Sequence, residues 1–275
     1  MLSANYMPAH GILLLLAGVA LFAQLEFYAI LSRAGIPCFR IVGSLCGVAL
    51  IAVTFLASGG EGDRASTAYQ WENFVLLASL IAVFIRQFPQ KYNDKPLETI
   101  GCTLLGIWYV PYLFSFFARI AFIGCENCSG QEISPTGRLL ALYLVVVVKC
   151  GDIGAYFVGS YWGRHKLFPR VSPGKTWEGL LGGIASAIVA SLLFSILGNQ
   201  HLGNLVFGHY HAAVLGGLLS VMGVVGDMFE SLLKRAAGTK DSGSVIPGIG
   251  GLLDVVDSLL FGAPLLYVYV KAGLL

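Results

Sequence analysis

Residues 179–197 read GLLGGIASAIVASLLFSIL and contain no charged side chain. A helix of about 20 apolar residues crosses the hydrocarbon core of a bilayer. The whole chain is 56% hydrophobic and 12% charged, and its mean hydropathy is +0.77. Because a soluble domain carries about 25% charged residues, the apolar side chains of this protein must face lipid. The sequence therefore predicts an integral membrane protein.

Eight segments of the chain approach the length of a membrane span. Their apolar character is continuous, whereas strands of a transmembrane barrel would alternate polar with apolar residues. We therefore predict an all-α polytopic transmembrane bundle of about eight spans, or nine if a re-entrant segment adds one. The eight segments are 11–31, 41–58, 72–86, 99–123, 138–159, 179–197, 211–227 and 251–270.

The placement of lysine and arginine predicts the orientation, because cytoplasmic loops carry an excess of both. The first, third, fifth and seventh loops are basic, and the loops between them carry little positive charge. We expect the basic loops on the cytoplasmic side of a bacterial inner or plasma membrane and both termini on the outer face. The basic loops contain Arg33, Arg40, Arg86, Lys91, Lys95, Arg164, Lys166, Arg170, Lys175, Lys234, Arg235 and Lys240.

Four aspartates lie at or near the ends of spans that border the two longest basic loops, 160–178 and 228–250. Asp254 and Asp257 are three residues apart, so a helix places them on one face. Two carboxylates on one face can hold a hard cation such as magnesium. The alternative is a buried ion-pair network, with Lys149, Lys234 or Arg235 as partner. The four aspartates are Asp152, Asp227, Asp254 and Asp257.

The seventh loop has the composition of a phosphate-binding segment. It reads Ser231-Leu-Leu-Lys234-Arg235-Ala-Ala-Gly-Thr-Lys240-Asp241 and continues to Pro247-Gly248-Ile249-Gly250-Gly251. Glycines allow the backbone to approach a ligand closely, and lysine and arginine make charge-assisted contacts with phosphate oxygens. A Gly/Pro turn with positive-inside residues is the alternative interpretation.

The fifth loop contains a second such stretch, Ser172-Pro173-Gly174-Lys175-Thr176-Trp177-Glu178-Gly179. Lys175 and Thr176 are candidates for phosphate binding, although the glycine spacing is not that of a Walker loop. The alternative is a helix start with Ser172 as the N-cap next to a proline.

These motifs resemble those of the phosphatidate cytidylyltransferase (CDP-diacylglycerol synthase) family, and the resemblance covers 149–262. The family signature has Ser, then Lys-Arg, a four-residue gap, Lys-Asp, Pro-Gly-His-Gly-Gly, and two aspartates that flank an arginine. Ile249 stands where the family has histidine, Val255 where it has arginine, and Gly174 where it has the first lysine of Ser-Pro-Lys-Lys-Thr-x-Glu-Gly. The matching positions are Ser231, Lys234, Arg235, Lys240, Asp241, Pro247, Gly248, Gly250, Gly251, Asp254 and Asp257.

The resemblance implies that phosphatidic acid and CTP are converted to CDP-diacylglycerol and pyrophosphate, with Mg²⁺ in two divalent sites or with a monovalent cation in addition. We predict membrane lipid as the environment, a homodimer by analogy with the family, and no nucleic-acid partner, since the net charge is only +2. The predicted catalytic residues are Asp227, Lys234, Arg235, Lys240 and Asp241. The predicted substrate-binding residues are Ser172, Lys175, Thr176, Ser231, Gly250 and Gly251. The predicted metal ligands are Asp227, Asp254 and Asp257.

We divide the chain into N-terminal transmembrane helices at 1–137 and a C-terminal catalytic region at 138–275. Asp152 is expected either to ligate metal or to anchor Lys149. Glu26, in the first span, is expected to pack against other helices or to line a lipid path, and Arg119 to extend to the outer interface.

Three other functions remain open from the sequence. The first two are a CTP-dependent enzyme that acts on another lipid, either a CDP-archaeol synthase-like enzyme or a polyprenol kinase-like one. The third is a cation-coupled transporter, which would be expected to show corresponding broken spans in two halves. The charged residues are concentrated in the C-terminal half, which argues against a transporter.

Overall fold

The computed structural model describes residues 9–59, 63–91, 93–124, 133–238 and 251–274. Within these ranges the chain forms long helices and two short hairpins. In chain order the elements are α1 (Ala9–Arg33), α2 (Arg40–Ser58), α3 (Asp63–Gln87), α4 (Pro96–Ile107), a π-helical turn (Trp108–Tyr112), α5 (Leu113–Ala121), α6 (Pro135–Trp162), β1 (Lys166–Phe168), β2 (Ser172–Thr176), α7 (Trp177–Leu197), β3 (His201–Leu202), β4 (Leu205–Val206), α8 (His209–Ala236) and α9 (Leu252–Gly273).

Seven helical segments in the described part of the chain are long and apolar enough to cross a membrane. One of them, Pro96–Ala121, is made by α4, the π-helical turn and α5 together. Helix α3 corresponds to the predicted segment 72–86 and is an eighth long helix with more polar residues. The prediction of an all-α polytopic bundle is confirmed, and the protein is an integral membrane protein. The side on which each terminus lies stays a prediction.

The fourth span is interrupted by Pro111, which lies inside the π-helical turn. Proline has no backbone N–H, so it cannot close the α-helical hydrogen bond to the carbonyl of Ile107. A π-helical turn accommodates the defect by adding a residue to the turn, and such turns occur frequently at functional sites. The turn carries Tyr109, which is buried against α1, α8 and α9.

Helices α6 and α7 approach closely because small residues line their interface. A Cβ atom at Gly154 would overlap the Ser186 side chain, and one at Gly182 would overlap Val158. The Ser186 hydroxyl also donates to the Cys150 carbonyl at 2.9 Å. This packing fixes the ends of the two helices between which the hairpin β1–β2 lies.

The hairpin β1–β2 is antiparallel and leads directly into α7. The helix begins at Trp177, and Thr176 is its N-cap: the Thr176 hydroxyl accepts a hydrogen bond from the Gly179 N–H at 3.1 Å. The alternative interpretation, in which Ser172 is the N-cap of the helix, is wrong, because residues 172–176 are extended and pair with β1. The second hairpin, β3–β4, follows α7 at the opposite end of that helix.

Helix α1 is tied to α9 by a hydrogen bond between distant parts of the sequence. The Glu26 carboxylate accepts from the Leu253 N–H at 2.8 Å, and Glu26 is buried. The first N–H groups of a helix have no partner within the helix, and a carboxylate is favoured at that end. Glu26 therefore packs against another helix, one of its two predicted roles, and fixes the start of the helix that carries Asp254 and Asp257.

The Arg119 side chain is paired within the bundle, and its extension to the outer interface stays a prediction. It is 13% exposed, forms an ion pair with Glu72 of α3, and lies over the rings of Tyr69, Phe116 and Tyr267. A charge inside a membrane protein is costly unless it is paired, and Glu72 supplies the pair. Helices α3, α5 and α9 meet at this point.

Candidate active site

Three carboxylates converge where α8 and α9 cross. Asp227 and Glu230 lie on α8 and Asp257 on α9, and one oxygen from each lies within 4.8 Å of the others. The helices come this close because α8 has a glycine at position 226, where a Cβ atom would overlap the Asp257 carbonyl oxygen. We refer to Asp227, Glu230 and Asp257 as the acidic cluster.

The acidic cluster is largely withdrawn from solvent. Glu230 and Asp257 are each 2% exposed, whereas Asp227 is half-buried. The Asp257 Oδ2 atom is buried and has no hydrogen-bond partner among the described residues. Buried carboxylates need paired charge, and oxygen ligands at this spacing suit a hard divalent cation. The residues present therefore fit a metal ion, with Asp227 at the exposed side of the cluster.

Lysine side chains surround the acidic cluster. Lys175 Nζ lies 2.7 Å from Asp227, and Lys234 Nζ lies 2.6 Å from Asp254 and 3.0 Å from Glu230. The predicted ion-pair network is therefore present, and it includes two members of the acidic cluster, Asp227 and Glu230. Asp254 also accepts a hydrogen bond from the Gly251 N–H at 3.2 Å, which closes the first turn of α9.

Asp152 of α6 belongs to a second group of charges beside the acidic cluster. Its carboxylate lies 3.1 Å from Lys149 Nζ and accepts from the Ser258 hydroxyl at 3.2 Å. Lys149 Nζ also donates to that hydroxyl at 3.0 Å. This geometry favours the second of the two predicted roles of Asp152, the anchoring of Lys149.

A cavity of about 360 Å³ lies between α6, the hairpin β1–β2 and α8. Its lining includes the charged residues Asp152, Lys175 and Asp227 as well as Tyr156 and Leu180. Lys175 and Asp227 of the acidic cluster are therefore ion-paired at the cavity wall, and Lys175 also donates to the Val224 carbonyl at 3.4 Å. The volume lies in the range of small-molecule sites.

The structure places Lys175 of the fifth loop against Asp227, in the last third of α8, the helix that leads into the seventh loop. Ser172, Lys175 and Thr176 all line the cavity, although the Thr176 hydroxyl is occupied as the cap of α7. Ser231 is half-buried and Arg235 is exposed, both near the end of α8. Lys240, Asp241 and Gly250 lie outside the described residues.

Glu178 holds the fifth loop against the start of α7. Its carboxylate accepts the backbone N–H groups of Arg164 and His165, each at 3.2 Å, and lies 2.6 Å from the His165 ring nitrogen Nδ1. The carboxylate therefore orders the loop on which Lys175 is carried. The sequence contained this residue in a motif but gave no indication of what it contacts.

Glu230 is the member of the acidic cluster that sequence reasoning missed. A signal was present, since Glu230 follows Asp227 by three residues, the same spacing that singled out Asp254 and Asp257. The ends of α8 and α9 thus contribute two acids each. Three of these acids, Asp227, Glu230 and Asp257, form the cluster, and the fourth, Asp254, is ion-paired with Lys234.

The fold and the site define a class: a polytopic membrane protein with buried acids and ion-paired lysines beside a cavity at one end of the bundle. The chain matches the Cytidylyltransferase family over residues 1–272 and belongs to that family. The resemblance predicted from the C-terminal motifs is confirmed, and it extends through the N-terminal half.

Three relatives illustrate the similarity. The phosphatidate cytidylyltransferase of Synechocystis sp. is 35% identical over 213 residues, which cover 72% of this chain and 70% of the relative. That of Bacillus subtilis is 37% identical over 175 residues, 64% of this chain and 60% of the relative. The uncharacterized protein YnbB of Escherichia coli is 35% identical over 204 residues, 73% of this chain and 64% of the relative. The aligned part is under two thirds of the length of the last two.

Proposed function

We propose that this protein transfers a cytidylyl group from CTP to the phosphate of phosphatidic acid, producing CDP-diacylglycerol and pyrophosphate. The observation that carries the proposal is the ion pair between Lys175 and Asp227, which joins the acidic cluster to the lining of the cavity between α6, the hairpin β1–β2 and α8. Family membership and the names of the relatives in Synechocystis sp. and Bacillus subtilis support the same activity.

The proposed reaction forms one P–O bond and breaks another. An anionic oxygen of the lipid phosphate attacks the α-phosphorus of CTP, and the bond to the β-phosphate oxygen breaks as pyrophosphate leaves with the electron pair. The nucleophile is already ionised, so neither a covalent enzyme intermediate nor a strong general base is needed. The main barrier is the approach of two polyanions, and nucleotidyl transfer rests on positioning and electrostatic stabilisation.

The residues that would hold a cation are Asp227, Glu230 and Asp257. Mg²⁺ bound there would neutralise phosphate charge and stabilise the leaving pyrophosphate. The proposal also includes either a second divalent-cation site, with Asp254 as a ligand, or a monovalent cation bound beside the first Mg²⁺. Before substrates bind, Lys234 is ion-paired with both Asp254 and Glu230.

The cationic side chains are proposed to contact the substrates directly. Lys175 is ion-paired to Asp227 at the cavity wall, and a phosphate in the cavity would offer it a competing acceptor of higher charge. Ser172 lines the same cavity. We further propose contacts from the residues near the seventh loop, which are Ser231, Lys234, Arg235, Lys240, Asp241, Gly250 and Gly251.

The cavity wall is suited to a substrate that is part lipid. Tyr156 and Leu180 line it, and the Tyr156 side chain is 72% exposed on the outside of the bundle. An acidic head group could therefore reach Lys175 while its acyl chains stay among exposed apolar residues. The positive-inside pattern supports a cytoplasmic location for this end of the bundle, the side on which CTP is available. A homodimer stays a prediction.

The test is an assay of purified full-length protein in vesicles that contain phosphatidic acid, with CTP labelled at the α-phosphate. We expect label to enter a lipid product in the presence of Mg²⁺. Parallel reactions with an archaeal ether-lipid phosphate, or with an isoprenoid alcohol and CTP labelled at the γ-phosphate, test the other lipid enzymes. If label entered only one of those acceptors, or if CTP stayed intact with every acceptor, the proposed function would be wrong.

A further inference from the structure

Tyr109 is a buried tyrosine to which neither the sequence motifs nor the proposed reaction assigns a role. It lies in the π-helical turn of the fourth span and is 3% exposed. Its hydroxyl is fully buried and has no hydrogen-bond partner among the described residues. Because buried polar groups in folded proteins are almost always hydrogen-bonded, an unpaired buried hydroxyl is an exception that requires an explanation.

The ring of Tyr109 is held between residues that flank the acidic cluster. Its centroid lies 4.7 Å from the ring of Phe229 and 6.2 Å from that of Phe261. Phe229 immediately precedes Glu230 on α8, and Phe261 lies one turn beyond Asp257 on α9. Tyr109 is therefore packed against the residue next to Glu230 and against the residue one turn beyond Asp257.

Asp257 offers the complementary unpaired atom. Its Oδ2 is buried and has no hydrogen-bond partner in the described part of the chain. An ionised carboxylate only accepts hydrogen bonds, and a tyrosine hydroxyl donates one. When a carboxylate ligates a cation through one oxygen, a hydrogen bond to the carboxylate normally orients it.

We propose that the Tyr109 hydroxyl positions the acidic cluster. When the cluster holds a divalent cation, this hydroxyl donates a hydrogen bond to the Asp257 carboxylate. Tyr109 does not touch the reacting phosphates. It acts through Asp257, so the N-terminal half of the chain helps to complete the cation site. This inference rests on the proposed function only in assuming that the acidic cluster binds Mg²⁺.

The test uses purified full-length protein in detergent, with Mg²⁺ as the only added ligand and thermal unfolding as the readout. In EDTA, Tyr109→Phe should unfold at the wild-type temperature or above it, because the substitution removes an unpaired buried hydroxyl. The Mg²⁺ concentration that gives half of the maximal thermal stabilisation should rise about tenfold, the size of effect expected for a group that orients a metal ligand.

Tyr143→Phe is the matched control, because Tyr143 is also buried but its hydroxyl lies 2.7 Å from the Ser191 hydroxyl. This variant should unfold at a lower temperature in EDTA and keep the wild-type Mg²⁺ dependence. The inference would be overturned if Tyr109→Phe kept the wild-type Mg²⁺ dependence, or if Mg²⁺ did not stabilise the wild-type protein. Mg²⁺ stabilisation of a wild-type protein that transfers no cytidylyl group would refute the proposed function and leave this inference intact.

Discussion

The contact between α8 and α9 at Gly226 gives the sharpest test of the site geometry. In Gly226→Ala the new methyl group would overlap the Asp257 carbonyl oxygen and would lie 3.2 Å from the Phe261 ring. The first of these atoms belongs to the backbone of a packed helix and cannot rotate away. The two helices must therefore separate by about 1 Å, a displacement that can cost about 100-fold in rate when it misplaces reacting groups.

The separation acts directly on the acidic cluster, since Asp227 and Glu230 move with α8 and Asp257 moves with α9. We expect Gly226→Ala to lower kcat/KM for cytidylyl transfer about 100-fold and to destabilise the protein by about 1–3 kcal/mol through overpacking. The measurements are the α-labelled CTP assay and thermal unfolding in detergent.

Gly217→Ala is the matched control on the same helix. A Cβ atom there would meet its nearest neighbour, Ile188, at 3.7 Å, which is ordinary contact. Alanine is also favoured over glycine in a helix by about 1 kcal/mol, so this variant should be as active as wild type and at least as stable. An activity of Gly226→Ala within about threefold of that of Gly217→Ala would show that the close approach of α8 and α9 does not set the geometry of the site.

Three further predictions concern the same end of the bundle. Asp257→Asn should abolish cytidylyl transfer while the protein still elutes as a folded species in detergent; near-normal turnover would remove Asp257 from the cation site. EDTA should stop the reaction and added Mg²⁺ should restore it, as followed by label transfer from CTP, and metal-independent turnover would contradict the role of the acidic cluster. Glu26→Ala should leave the Leu253 N–H unpaired and lower the free energy of unfolding by about 1–3 kcal/mol. Glu26→Gln keeps an acceptor oxygen and should lower the free energy of unfolding by less. Equal losses for the two variants in a denaturation series would argue against the hydrogen bond between α1 and α9.

The helices were predictable because their signals are local. A run such as 179–197 has no charged residue to place in water, so it must span the membrane whatever its neighbours are. The residue at which α7 starts was harder to predict from the sequence. Ser172 followed by proline has the composition of an N-cap, but pairing with β1 keeps residues 172–176 extended and moves the cap to Thr176.

The membership of the candidate site was only partly predictable. Asp227 and Asp257 were named from spacing and motif, and both lie in the acidic cluster. Glu230 was missed although it has the same helical spacing. Tyr109 offered no signal, because nothing in the sequence near Pro111 says which side of the fourth span faces α8 and α9.

The sequence by itself determined that this is a polytopic membrane protein, and it determined which loops are basic and which motifs relate it to the cytidylyltransferases. These properties depend on composition and on residues that are close in the chain. Only the tertiary structure decided that Asp257 meets Asp227 and Glu230, while Asp254 pairs with Lys234. That choice depends on the rotation and offset of α8 against α9, which the contact at Gly226 fixes and no local pattern encodes.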